Sequence, residues 1–123
     1  MNVRSIGWLG VRTAQATALC AFYRDVLGMR VLQERPEAVR FALADGTEAH
    51  VYGLDDREHE YFGSSPVVGF LVDSFDQTRG AMTRAKVEFL YPEPHHQVAR
   101  VWQHFRAPDG ISMKSSPSPI VAE

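Results

Sequence analysis

Residues 41–50 read FALADGTEAH, and residues 105–114 read FRAPDGISMK. Each stretch has Phe, three residues, Asp-Gly, and then a strand-like run ending in a polar side chain. The alignment needs no gap: Phe41 meets Phe105, Asp45–Gly46 meets Asp109–Gly110, and His50 meets Lys114. Each copy closes a unit of roughly 50–60 residues, so the chain reads as two similar modules in tandem. Modules related by a pseudo-two-fold axis are expected to set matching positions around one shared cavity.

Outward from those hairpins, the same plan runs twice. Ile6 to Arg12 reads as a strand with Trp8, Gly10 and Arg12 on one face. Thr13 is the expected N-cap of an alanine-rich helix carrying Leu19, Phe22, Tyr23, Val26 and Leu27, and Gly28 closes it. Met29–Glu34 is a strand, and Ala38–Leu43 and Thr47–Tyr52 form a hairpin around Ala44–Asp45–Gly46. In the second copy Val67–Val72 is a strand whose Gly69 matches Gly10. Ser74 and Gln77 have the spacing of a capping box, and a helix runs to about Ala85. Val87–Tyr91 is a strand, and Val101–Arg106 and Ile111–Ser115 flank Pro108–Asp109–Gly110. The order is βαβββ–βαβββ within one expected domain: module 1 is residues 1–53, a charged connector 54–65, module 2 residues 66–115 and a frayed tail 116–123. His59, among the acids of the connector, reads as a solvated loop histidine. His95 and His96, after Pro94, read as a solvated turn.

Composition narrows the function. Apolar residues make up 45% and the net charge is −2, so no basic footprint for nucleic acid is present. No apolar run approaches the ~20 residues of a membrane span. The single cysteine, Cys20, precludes an internal disulfide and reads as a small core residue. The N-terminal segment lacks a secretory apolar core, and a reducing cytoplasm is the expected address.

The segment Phe22–Tyr23–Arg24–Asp25–Val26–Leu27–Gly28, followed by Phe105–Arg106–x–Pro108–Asp109–Gly110, resembles the vicinal oxygen chelate superfamily. That group includes glyoxalase I, extradiol dioxygenases, and fosfomycin- and bleomycin-resistance proteins. The resemblance implies an α+β fold in which two βαβββ modules curl a mixed sheet into a cup-shaped, half-open barrel. It also implies a homodimer. Metal-dependent members take His or Glu ligands from the first and fourth strands of each module, and here those places hold Trp8, His50, Val67 and Lys114. Only His50 offers a suitable lone pair: indole donates, valine has nothing to offer, and an ammonium repels a cation. A catalytic site needs about three protein ligands. The expectation is therefore no metal and no other cofactor.

In place of a metal, Lys114 can attract an anion or polarise an oxygen. His50 and His104 can exchange protons near neutral pH, while Trp8, Tyr52 and Trp102 supply flat faces. These six are the expected lining of a small-molecule pocket, with His50, Lys114 and His104 as candidate catalytic groups and Trp8, Tyr52 and Trp102 as ligand contacts. Three readings follow: a metal-free binder of an aromatic or acidic molecule; a metal-independent isomerase, cyclase or lyase using His and Lys; or a metal-dependent lyase or dioxygenase. The sequence leaves binder and enzyme open.

Overall fold

Strand alternation and helical period set the elements, and pairing register then decides which side chains meet. A computed structural model describes residues 3–63, 65–91, 94–97, 100–109 and 112–117, with only the backbone of 95–97 and 100. The strands are β1 (Val3–Arg12), β2 (Arg30–Arg35), β3 (Ala38–Ala42), β4 (Glu48–Tyr52), β5 (Val67–Val72), β6 (Glu88–Phe89), β7 (His95–Gln97), β8 (Arg100–Arg106) and β9 (Ser112–Pro117). The helices are α1 (Ala16–Ala21), which widens into a looser turn over Phe22–Val26, and α2 (Phe75–Arg84). The fold class is α+β as expected; the first module runs βαβββ, and the second follows the same plan with one short strand, β7, added.

The chain resolves into two compact units, Trp8–Pro66 and Met1–Gly7 with Val67–Glu123. The first orders its strands β2-β3-β4-β1 and the second β6-β8-β9-β5. In both, the first strand pairs parallel with the last. Gly10 stands beside His50 in the first unit, and Gly69 beside Lys114 in the second. The register read from the two Asp-Gly stretches is thus preserved in hydrogen bonding.

In the Trp8–Pro66 unit, Ala49 and Val51 of β4 face a core with Tyr23 and the fully buried Phe41. Leu9, Leu19, Met29, Val31 and Val39 close around it. Cys20, half-buried, packs against this core, and burial raises its thiol pKa. Strand alternation then commits Glu48, His50 and Tyr52 to the opposite face of β4. At the hairpin, Gly46 takes φ 88°, a left-handed value that glycine adopts without a Cβ penalty. Asp45 holds the turn by accepting from the Thr47 amide at 3.0 Å and the Thr47 hydroxyl at 2.6 Å.

The second unit buries Val67, Leu71, Val72 and Gln103. The expected Ser74 cap is present, with its hydroxyl accepting from the Gln77 amide at 3.2 Å. Arg79 of α2 lies 5.0 Å over Phe89 and donates to Gln103 at 3.0 Å, and Gln103 donates to the Tyr91 carbonyl at 3.1 Å. Gln103 therefore marks the helix-facing side of β8, and Trp102 and His104 occupy the other.

Several local expectations are corrected. Thr13 does not cap α1. Its hydroxyl accepts from the Gln15 amide at 3.0 Å, an early turn that delays the helix to Ala16. The strand expected over Val87–Tyr91 shrinks to Glu88–Phe89, because β8 pairs with β6 only through Glu88–Arg106 and Phe89–Phe105. The backbone of His95 and His96 is a strand, β7, paired with Trp102 and Val101 of β8 rather than a turn. Ser116 and Pro117 belong to β9, since parallel pairing with Leu71 and Val72 carries the strand past the expected tail. The glycine of the Asp109–Gly110 turn, Ile111 and residues 118–123 lie outside the described residues.

A Cβ placed on Gly10 would overlap the Trp8 indole, which lies across it. Gly10→Ala should therefore displace Trp8 and cost about 1–3 kcal/mol, the range for overpacking a filled interior. Denaturant melts with near-ultraviolet circular dichroism of the indole measure both effects.

Candidate functional site

Strand β4 carries a row of three polar or aromatic side chains two residues apart, and each reaches a partner. Arg40, opposite His50 in the β3–β4 register, donates to both oxygens of Glu48, through Nε at 3.2 Å and Nη2 at 3.1 Å. Glu48 Oε1 lies 2.7 Å from His50 Nε2, and His50 Nδ1 lies 2.9 Å from the Tyr52 hydroxyl. A carboxylate receiving two guanidinium bonds acts as an acceptor, so Nε2 carries the proton. Nδ1 then holds the lone pair of the neutral ring and accepts from Tyr52. Burial pushes the Tyr52 hydroxyl far above its ordinary 10.0, with Asp56 and Glu58 adding to the effect and Arg35 and Arg40 opposing it. The phenol stays protonated and remains a donor.

Aromatic packing continues the cluster. Trp8, 5% exposed, meets His50 edge-on at 5.2 Å and Phe62 at 6.1 Å. Tyr52 is stacked on His59, with ring centres 3.8 Å apart and planes 15° apart. Asp56 accepts from both the ring and the amide of His59 at 2.9 Å. This corrects the reading of His59 as a solvated histidine: its side chain is 12% exposed. The ring is drawn in by the buried Asp56 carboxylate and the face of Tyr52, neither legible from a connector without periodicity.

The unit containing Val67–Glu123 holds the other three site residues. Lys114 and His104 are paired across β9 and β8. His104 is buried and Lys114 is 6% exposed, with its ammonium 5.3 Å from the centre of the Trp102 ring. This is cation–π distance, worth about 2 kcal/mol or more where the pair is desolvated. Trp8, His50 and Tyr52 thus gather in one unit, and Trp102, His104 and Lys114 in the other.

The four positions at which the resemblance implies metal ligands carry poor donors in each unit. Both nitrogens of His50 are engaged, and Trp8 brings an indole. In the other unit Val67 brings an isopropyl group and Lys114 an ammonium. These residues do not fit a divalent ion. Among the described residues, no group of three His, Cys, Asp or Glu side chains is placed to hold a metal. No helix among them is long and apolar enough to cross a membrane.

Glu48, Arg40 and Asp56 were missed by the sequence reading. A signal existed for the first two. Glu48 is two residues before His50, hence on its face, and a turn centred on Asp45 puts Arg40 opposite His50. Asp56 had no such signal.

This geometry accompanies a clear family match. The model of the Glyoxalase/Bleomycin resistance protein/Dioxygenase superfamily matches residues 5–113, and the chain belongs to that superfamily. Similar solved structures include a superfamily member from Vibrio splendidus 12B01, 22% identical with TM-score 0.66, covering 95% of this chain and 100% of that one. The Mn(II)-bound glyoxalase from Novosphingobium aromaticivorans is 21% identical with TM-score 0.73, covering 95% of this chain and 40% of that one. Methylmalonyl-CoA epimerase from Mycobacterium tuberculosis is 16% identical with TM-score 0.67, covering 95% and 90%. At these identities the likeness is one of fold. No curated protein matches this chain.

Two measurements follow. Glu48→Ala removes the acceptor of Arg40 and His50 and should cost about 1–3 kcal/mol. Nitrogen-15 spectra of the imidazole should show His50 leaving the single Nε2–H form. For Tyr52, a raised native pKa means that the unfolded chain loses its proton first. Stability present below pH 10 should therefore fall as pH rises above it, by about 1.4 kcal/mol per unit from this group. Chemical denaturation between pH 9 and pH 11 should show a shallower fall in Tyr52→Phe.

Proposed function

We propose that the chain is a metal-free, small-molecule-binding member of its superfamily whose ligand is acidic or aromatic. Lys114 carries this reading. A low-exposure ammonium held against an indole is a fixed positive charge where screening by water is weak, so an anionic group is attracted strongly. Trp102 adds a flat apolar surface and His104 a polar one beside it. The reading also assigns ligand contacts to Trp8, His50 and Tyr52 in their own unit. Exposed Phe22, Val26 and Leu27 support self-association as a homodimer. A lone, core-packed thiol suits a reducing cytoplasm.

One observation favours a second reading, a metal-independent isomerase, cyclase or lyase. The Arg40–Glu48–His50–Tyr52 chain fixes one imidazole tautomer, as general acid–base catalysis requires. Binding stands first because Tyr52 already occupies the basic nitrogen of His50.

Aromatic carboxylates, screened by fluorescence of Trp102 in a Trp8→Phe background, test the proposal. Lys114→Met should weaken binding by about tenfold or more, the scale of losing a charge-assisted contact. Unchanged affinity, or about one divalent ion per freshly purified chain by elemental analysis, would overturn it. Turnover with a bell-shaped pH–rate profile, lost in His50→Ala and Lys114→Ala, would replace it with the second reading.

A further inference from the structure

A cleft of about 520 Å³ opens between the start of α2, the start of β8 and the end of β9. That volume is in the range of small-molecule pockets. Phe75, Pro94, Val101 and Pro117 give it apolar walls. Asp76 and Arg79, three residues apart on one face of α2, give it one charge of each sign. By strand alternation Val101 shares the helix-facing side of β8 with Gln103, and Pro117 shares that side of β9 with Ser115. The cleft therefore lies across the sheet from Trp102, His104 and Lys114. Ser115 is 2% exposed, and its hydroxyl has no hydrogen-bond partner among the described residues. A buried hydroxyl in that state marks a place that a water or a ligand completes. The helix cap is already spent: the Ser74 hydroxyl accepts from the Gln77 amide, and the Ser74 carbonyl accepts from the Thr78 hydroxyl at 2.8 Å. The chemistry of the cleft rests on its side chains.

We propose that this cleft binds an α-amino acid with an apolar side chain, its carboxylate at Arg79, its ammonium at Asp76 and its side chain among Phe75, Val101 and the two prolines. The pair of charges selects the class. A simple anion would meet a like charge at Asp76, and a simple cation would meet one at Arg79. A zwitterion meets both with opposite sign. Gln103, fully buried, accepts from Arg79 Nε at 3.0 Å and so positions the guanidinium, whose charge is permanent. Asp76 is exposed at the rim, so its ion pair is weak alone and the apolar walls must add to it. The Ser115 hydroxyl beneath offers a donor to a carboxylate oxygen. All these residues belong to the unit containing Val67–Glu123, on the sheet face opposite Lys114. The site stands whether or not Lys114 binds an anion.

L-Leucine is the probe. Its singly charged analogues are the controls: 4-methylpentanoate lacks the ammonium, and 3-methylbutylamine lacks the carboxylate. Titrated into the nitrogen-15-labelled protein, L-leucine should shift the backbone amide signals of residues 75–79 and saturate in the millimolar range. Each control should bind about tenfold more weakly or worse, the scale of losing one charge-assisted contact. Asp76→Asn, a substitution at an exposed position, should weaken L-leucine by about tenfold and leave 4-methylpentanoate bound as before or more tightly. Amide signals of α2 that stay fixed at tens of millimolar L-leucine, or controls that bind as tightly as L-leucine, would overturn the proposal. So would an unchanged L-leucine affinity in a folded Asp76→Asn protein. Should that variant fail to fold, the three titrations of the unmodified chain decide alone. An aliphatic probe read on α2 keeps this outcome separate from that at Lys114.

Discussion

Parallel pairing of the first strand of each unit with its last is the constraint on which the rest of this molecule depends. It sets Gly10 beside His50 and Gly69 beside Lys114. A residue without a side chain next to the chemistry-bearing one leaves room on that face. In the first unit the Trp8 indole takes this room, lying over Gly10 and against His50. The antiparallel β3–β4 and β8–β9 pairs then set Arg40 opposite His50 and His104 opposite Lys114. One pattern of hydrogen bonding, used twice, fixes which side chains can react with one another.

The two units have put that pattern to different uses. Around His50, each charged or polar group is matched by another, in a line from Arg40 through Glu48 and His50 to Tyr52. Removing water strengthens every link of such a line, and also raises the cost of breaking one. Around Lys114 the ammonium stands 5.3 Å from the centre of the Trp102 ring, with His104 opposite it across the strand pair. The same backbone thus supports a rigid hydrogen-bonded array in one unit and a cationic, aromatic patch in the other.

The connector shows how a loop can become part of a site. Its acids suggest a solvated tether, yet Asp56 is buried and binds His59, which covers Tyr52. A buried carboxylate is tolerable because the ring and the amide N–H of His59 both bond to it. Stacking then orders a segment that forms no strand among its described residues.

The sequence determined the repeated plan of strands and helices, the Asp45–Gly46 hairpin, the Ser74 cap and the family. All of these are local or repeated signals: turn chemistry, alternation, a side chain reaching three residues along. It also determined that His50, Tyr52 and Trp8 lie on one side of their strands, and Trp102, His104 and Lys114 on one side of theirs. Tertiary structure decided the partners. That β6 shortens, that β7 forms at His95, and that β9 runs on to Pro117 depends on strands paired across long loops. That His50 has both nitrogens engaged, and that His59 rests on Tyr52, depends on distances no spacing encodes. Periodicity states which face a side chain takes; only the folded chain states what stands against it.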